Sequence, residues 1–396
     1  MSTQIAQTTD ASKDPKDAVQ EALAQVNALT LSDMTSKLKA YPSMDMTDIL
    51  AHTLKTYPTL RKVFRDSALQ SLKSVSDSAN APNPPADPRD NYQIPSDAKV
   101  IRPLDAAVMR AIQMDSTANG ATSDLSTVIQ QLNERVACSE IIWQLGSTAV
   151  LGLDSQLVIK LENGIDVDHI PMIDHLKQHA PQLPIPAIHG ILQQADSRRS
   201  FIFMSRAPGV PLSSIWKSMN GEQKASIKDQ LNTIVAKFRS IPAPPSEDPR
   251  AVLGGGNPRR CKDTRRDICI ADGPISNEAE FNAFISSRPR RTITGQITMI
   301  RSYLTTDHNV VMTHGDLHPR NIMVSITPGN PDVITITAIL GWEMCGWYPE
   351  YWEYVKALNT VTPRDGFGDW YAYLPPNIGV WPKEHAVDTM LSRWHG

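Results

Sequence analysis

The chain has 396 residues, 41% hydrophobic and 20% charged, a globular composition with room for roughly two to three domains. Lys and Arg total 39 against 42 Asp and Glu, a formal net charge of −3, so no overall cationic field exists to hold nucleic acid or an acidic membrane surface. No stretch approaches the roughly 20 unbroken apolar residues of a membrane span, and the opening MSTQIAQTTDASKDPKD lacks the apolar core of a signal peptide. A cytoplasmic protein without nucleic-acid or membrane partners is expected. Cys138, Cys261, Cys269 and Cys345 are too scattered for a zinc-ligand set or a disulfide framework, which agrees with a reducing compartment.

From Asp17 to about Val75 apolar residues recur at helical spacing, as in Val19, Leu23 and Val26, and predict several short helices. The Ser, Asn, Pro and Asp residues that follow, with the proline cluster APNPPADP from Ala81, read as a tether to about Asp97. Residues 1–97 are therefore expected to form a helical, partly disordered extension. Helices are predicted next over 104–114 and 125–138. The period then shortens to extended runs at 140–145, 148–153 and 156–161, broken by Gly146-Ser147 and Asp154-Ser155, a three-stranded antiparallel meander. A helix over 169–179 and strands over 187–192 and 200–204 complete a five-stranded sheet with one helix. Beyond Pro211 helical patterns dominate, notably over 222–239, 278–285 and 293–305. The fold class is α+β, with a β-rich lobe over 98–207 and a larger helical lobe over 208–396.

The segment most specific for chemistry is MTHGDLHPRN, from Met312 to Asn321, held between the apolar runs Val310-Val311 and Ile322-Met323-Val324. Asp316 and Asn321 stand five apart, the spacing of the catalytic Asp and metal-binding Asn in the protein-kinase loop. HGDLHPRN resembles the signature of the aminoglycoside phosphotransferase and choline kinase-like enzymes, which share the protein-kinase fold. The run AILGWEMCGWYPEYWEY from Ala338 is similar to that family's next motif. The resemblance implies a bilobal protein-kinase-like fold and ATP- and Mg²⁺-dependent phosphoryl transfer to a small-molecule hydroxyl. Asp316 would be the catalytic base and Asn321 a metal ligand.

One position departs from the pattern. Where the family has Ile-Asp-Trp-Glu, with the Asp bridging Mg²⁺ to the phosphates, this chain has Leu340-Gly341-Trp342-Glu343. A lost ligand removes charge neutralisation worth several kcal/mol at phosphoryl transfer, so impaired catalysis is expected. Glu343, two residues on, is the candidate substitute ligand, with a structural carboxylate as the plainer alternative. A catalytically silent, pseudokinase-like binding module is the rival function.

Lys160, ending Leu157-Val158-Ile159, is similar to the kinase lysine that pairs the α- and β-phosphates, with Asp168 as its expected acidic partner and Asp174 as the alternative. Gly146 and Ser147 form a thin phosphate-covering turn, and Met204 to Arg206 resemble the hinge whose backbone meets adenine. The ten Trp and Tyr residues from Trp342 to Trp381 are expected to pack the helical lobe, the alternative being a cage for a quaternary ammonium. Lys262, Arg265 and Arg266 read as a solvated charge run. His314, Asp316 and His318 also spell an H-x-D-x-H metal set, a hydrolase reading that ranks low because no further His cluster supports it.

Overall fold

The structure, a computed structural model, describes residues 87–112, 124–145, 148–163, 167–195, 199–264, 268–287, 294–359, 361 and 366–395, with scattered positions between 20 and 65. The chain divides into two compact units, Met1–Asp87 and Pro88–Gly396. In the first, the described positions are helical, with Val26 buried and the Tyr57 hydroxyl donating to Asn27 Oδ1 at 2.6 Å.

The second unit opens with a six-stranded antiparallel sheet in the order β1-β5-β6-β4-β3-β2. Its strands are β1 (Lys99–Arg102), β2 (Glu140–Leu145), β3 (Thr148–Gly152), β4 (Leu157–Asn163), β5 (Ile188–Gln193) and β6 (Arg199–Ser205). Five of these match the expected extended runs. The sixth, β1, is four residues long and mostly exposed, too short to show an alternating pattern. Between β3 and β4 the Asp154 carboxylate accepts the N–H groups of Gln156 at 2.6 Å and Leu157 at 2.7 Å, the local bonding by which Asp closes a turn.

Alternate residues along the strands feed two different cores. Leu192, Phe201 and Phe203 join Ala149, Leu151, Ile159 and Leu161 against two helices, α1 (Ala106–Ala111) and α2 (Leu125–Ala137). Ile191 and Ile202 turn the other way, onto α3 (Ile170–His179) and the helical lobe. Tyr92 and Ile94, inside the stretch read as tether, are buried in the first core, and Asn133 of α2 bonds both backbone groups of Ile94. The apolar pair outweighs its polar neighbours once α2 covers it.

The helical lobe is built on α4 (Leu212–Ile215) and α5 (Gly221–Arg239), the latter opened by a capping box in which Asn220 and Gln223 bond each other's backbone N–H. Ile227, Leu231, Val235 and Phe238 form its buried stripe, each stabilising by about 1.5–3 kcal/mol. Leu231→Ala would cost about 2–5 kcal/mol. The short strand β7 (Val210–Pro211) joins β11 (Ile322–Thr327) and β12 (Asn330–Ile339) in a three-stranded sheet. A hairpin of β8 (Lys262–Thr264) and β9 (Ile268–Ile270), and a pair of β10 (Val310–Thr313) with β13 (Gly346–Pro349), complete the strands. Helices α6 (Glu278–Ile285), α7 (Thr294–Arg301), α8 (Trp352–Asn359) and α9 (Pro382–His395) pack a third core around Phe281, Tyr348, Tyr351 and Trp352. Among the described residues no helix is long and apolar enough to cross a membrane.

Candidate active site

The polar segment His314–His318 leaves the end of β10 and enters β11 through a single turn at Pro319–Asn321, as the flanking apolar runs predict. Its backbone is fixed from both sides. The fully buried Glu353 carboxylate of α8 accepts the N–H of His314 at 2.5 Å and of Gly315 at 3.4 Å. Burial pushes that carboxyl up to about 7, against the pull of Arg239 and the two donors. The His314 ring accepts the Asp316 N–H on Nδ1 at 3.2 Å, so Nε2 carries the proton that it donates to Leu340 O at 2.9 Å. Burial drives its pKa down to about 4, which keeps the ring neutral. His318 caps the turn by accepting the Arg320 N–H at 3.0 Å. His314 thus spends both ring nitrogens on the backbone and His318 its Nδ1, and among the described residues the H-x-D-x-H set does not converge on a metal position.

Asp316 and Asn321 come together as their spacing implies. The Asn321 amide donates to Asp316 Oδ2 at 2.7 Å and to its backbone oxygen at 2.9 Å. Burial raises the Asp316 carboxyl to about 6, with the Asn321 hydrogen bond working in the other direction. Gly341 lies beside this pair in the left-handed region, at φ +78° and ψ +46°. A Cβ there would stand 2.7 Å from Asn321 Nδ2 and 2.9 Å from its Cγ, so the amide fills the space a side chain at 341 would need.

Lys160 reaches this region from β4. Its ammonium pairs with Glu343 at 2.5 Å and with Glu162 of the same strand. Burial opposes the Lys160 charge, but Glu343 and Glu162 outweigh it and hold the pKa above the ordinary lysine value. Burial likewise opposes the Glu343 charge, and Lys160 and His169 outweigh it, leaving that carboxylate ionised. Glu162, buried and beside Glu343, is pushed up to about 7. The expected partner of Lys160 is therefore corrected: Asp168 faces Lys262 Nζ at 2.5 Å, and Asp174 pairs with Arg102 at 3.0 Å. Lys262 is not the solvated residue its sequence neighbours imply, being only 4% exposed. Arg265 and Arg266 lie outside the described residues, as do Gly146 and Ser147.

The hinge candidates sit at the end of β6. Ser205 N donates to Ala187 O at 2.9 Å and Arg206 N to Gln156 O at 2.7 Å, so those two donors are already used. The Ser205 hydroxyl meets His189 Nε2 at 2.8 Å, and His189 Nδ1 meets Asp105 at 2.8 Å, a chain of contacts that braces the hinge against α1. The Arg206 side chain turns away to Glu140 at 2.8 Å, while Met204 stays in register between Val158 and Ile188. The aromatics pack as the plainer reading expects: Trp342, Trp347, Tyr348, Tyr351, Trp352 and Trp370 are buried, and Trp352 meets Phe281 edge-on at 5.0 Å. The cation over Trp216 is the chain's own Lys224, at 4.8 Å.

Mg²⁺ demands several oxygen ligands in near-octahedral geometry. Gly341 offers none and the Glu343 carboxylate is held by Lys160, which leaves of the expected set only the Asn321 amide oxygen, whose nitrogen bonds Asp316. Among the described residues no group of three or more His, Cys, Asp and Glu side chains is placed to hold a metal. As arranged, these residues do not fit a bridging cation.

Comparison with curated proteins finds no match. Among solved structures the chain is similar to an aminoglycoside-3'-phosphotransferase of type VIII, at 15% identity and a TM-score of 0.43 over 65% of this chain and 93% of that one. It is also similar to the GDP complex of aminoglycoside 2'-phosphotransferase-IIIa, at 14% identity and a TM-score of 0.44, covering 64% and 81% of the two chains. A third is the aminoglycoside phosphotransferase APH(3'')-Id from Streptomyces rimosus ATCC10970, at 14% identity and a TM-score of 0.40, covering 68% and 99%. The family model described as "Phosphotransferase enzyme family" matches residues 169–380, more than half of the chain and all of the His314–Asn321 loop. The sheet lobe followed by a helical lobe with its loop between β10 and β11 is the protein-kinase-like fold. The chain belongs to the phosphotransferase enzyme family.

Proposed function

We propose that the protein binds ATP between Lys160 and the His314–Asn321 loop and transfers its γ-phosphoryl group to the hydroxyl of a small molecule, slowly because residue 341 is glycine. The observation that carries this reading is Asp316: a carboxyl on a loop pinned by Glu353 and His314, raised by burial to about 6. Such a group stays ionised at neutral pH and still takes a proton more readily than a free aspartate. In the transfer step the acceptor oxygen attacks the γ-phosphorus, Asp316 takes or orients the hydroxyl proton, and the bond to the β-phosphate oxygen breaks to leave ADP. His314, being neutral, adds no positive charge of its own beside that carboxylate.

Lys160 is the group assigned to the α- and β-phosphates. Its pairing with Glu343 and Glu162 means that phosphate oxygens must share or displace a carboxylate, which lowers the net gain from the contact. Met204 and its neighbours, with Gly146 and Ser147, are assigned to the adenine and phosphate ends of the nucleotide. Gly341 favours one second reading, nucleotide binding without transfer. Titration with ATP, together with ADP release over a panel of amino-alcohols and aminoglycosides, tests the proposal. Saturable binding that weakens at least about tenfold in Lys160→Met, with turnover lost in Asp316→Asn, supports transfer. Binding without turnover supports the second reading, and no ATP binding contradicts both.

A further inference from the structure

We infer that Lys262 is a positioning residue for the nucleotide site: its buried ammonium ties Asp168 to the Glu343 turn and thereby sets how Lys160 is presented to phosphate. This rests on the ATP-binding reading above. Lys262 Nζ donates to Asp168 Oδ1 at 2.5 Å, and its second contact is the backbone oxygen of Glu343, at 3.3 Å. Asp168 stands at the entry to α3, just beyond β4, whereas residues 342–344 form the turn that carries Glu343. One side chain therefore bridges the entry of α3 and the turn whose own carboxylate grips Lys160.

The surrounding chain is shaped for that bridge. Lys262 N donates to the Tyr348 hydroxyl at 3.0 Å, and Asn257 N to the Asp168 backbone oxygen at 3.1 Å. Gly256, at φ +84°, passes so close that a Cβ would lie 2.5 Å from Asp168 Oδ2. Gly254 exchanges backbone hydrogen bonds with Trp347 at 2.8 and 2.9 Å, which lays this strap along the turn. Nothing in the phosphoryl-transfer motif calls for these glycines or for a buried lysine at 262. A tether between the two elements accounts for both. A buried ammonium is retained only where its partners are fixed, and both partners here border the Lys160 pair.

The test uses the full chain, with ATP titration by calorimetry in Mg²⁺ buffer and thermal denaturation alongside. Lys262→Met leaves the partly buried Asp168 without its cation, so it lowers both the melting temperature and ATP affinity. Lys262→Met combined with Asp168→Asn removes both charges. The tether predicts that this pair regains most of the thermal stability yet binds ATP at least about tenfold more weakly than wild type. It also predicts that Lys262→Met adds no further loss of affinity to Lys160→Met, because both act through one ammonium. Wild-type ATP affinity in the charge-neutral pair, or full additivity with Lys160→Met, overturns the tether alone. Absence of ATP binding by the wild type overturns the ATP-binding reading and the tether with it.

Discussion

Residue 341 separates this chain from the expected metal site by one side chain, but the backbone has adapted to the loss. At φ +78° a non-glycine residue costs roughly 1–2 kcal/mol, and the new Cβ must also move Asn321 off the space it fills. Gly341→Asp should therefore lower the melting temperature by about 1–2 °C per kcal/mol lost. It should at the same time release the Asn321 amide from Asp316, visible as a change in the Asn321 side-chain NMR signals. If the Gly341→Asp variant melted at the wild-type temperature, the glycine geometry would be incidental. Lys160 shows what sequence alone can and cannot give at this scale. Lys160 and Glu162 lie two apart on one strand and so on one face, a signal present in Leu-Val-Ile-Lys-Leu-Glu. Glu343 lies 183 residues away and left no local trace.

Helix α8 hydrogen-bonds the loop backbone through Glu353, so that role is separable from general packing. Glu353→Ala leaves the N–H groups of His314 and Gly315 buried without an acceptor, at about 1–3 kcal/mol for each. Glu353→Gln keeps an acceptor oxygen and should fold nearly as well at neutral pH. The folded-state pKa of Glu353 is raised, so the native state binds its proton more tightly than the unfolded chain does. Its contribution to stability therefore grows as pH falls from about 7 toward the ordinary value of 4.5 and is absent above about 7. The melting-temperature difference between wild type and Glu353→Gln should shift in favour of wild type as pH is lowered across that window; a constant difference would contradict the assignment. At this scale the sheet was largely readable, because two-residue breaks and period-2 runs are local. Strand β1 was hidden by its brevity. The burial of Lys262 was hidden because CKDTRRD looks solvated until Asp168, 94 residues earlier, supplies the partner.

Over the whole molecule the family motif covered the loop and the order of elements, and the sheet and helical lobes followed from it. The start of the folded unit did not, since Tyr92 and Ile94 are buried by α2 rather than by their polar neighbours. A chain beginning at Pro88 should fold and melt like the intact protein, whereas one beginning at residue 98 should lose both apolar side chains, about 3–6 kcal/mol of burial, and precipitate or melt early. Phosphoryl transfer needs both lobes at once, Lys160 from the sheet and Asp316 from the helical lobe, with the Gly341 turn between them. The most direct measurement of that account is ADP release from ATP in Mg²⁺, with a hydroxyl acceptor drawn from the panel, by wild type, Gly341→Asp, Asp316→Asn and the double variant. The account predicts slow release by wild type, a gain of at least about tenfold in Gly341→Asp, equivalent to roughly 1.4 kcal/mol, and no gain once Asp316 is replaced. Brisk release by wild type that Gly341→Asp slows, or a gain that survives Asp316→Asn, would contradict it.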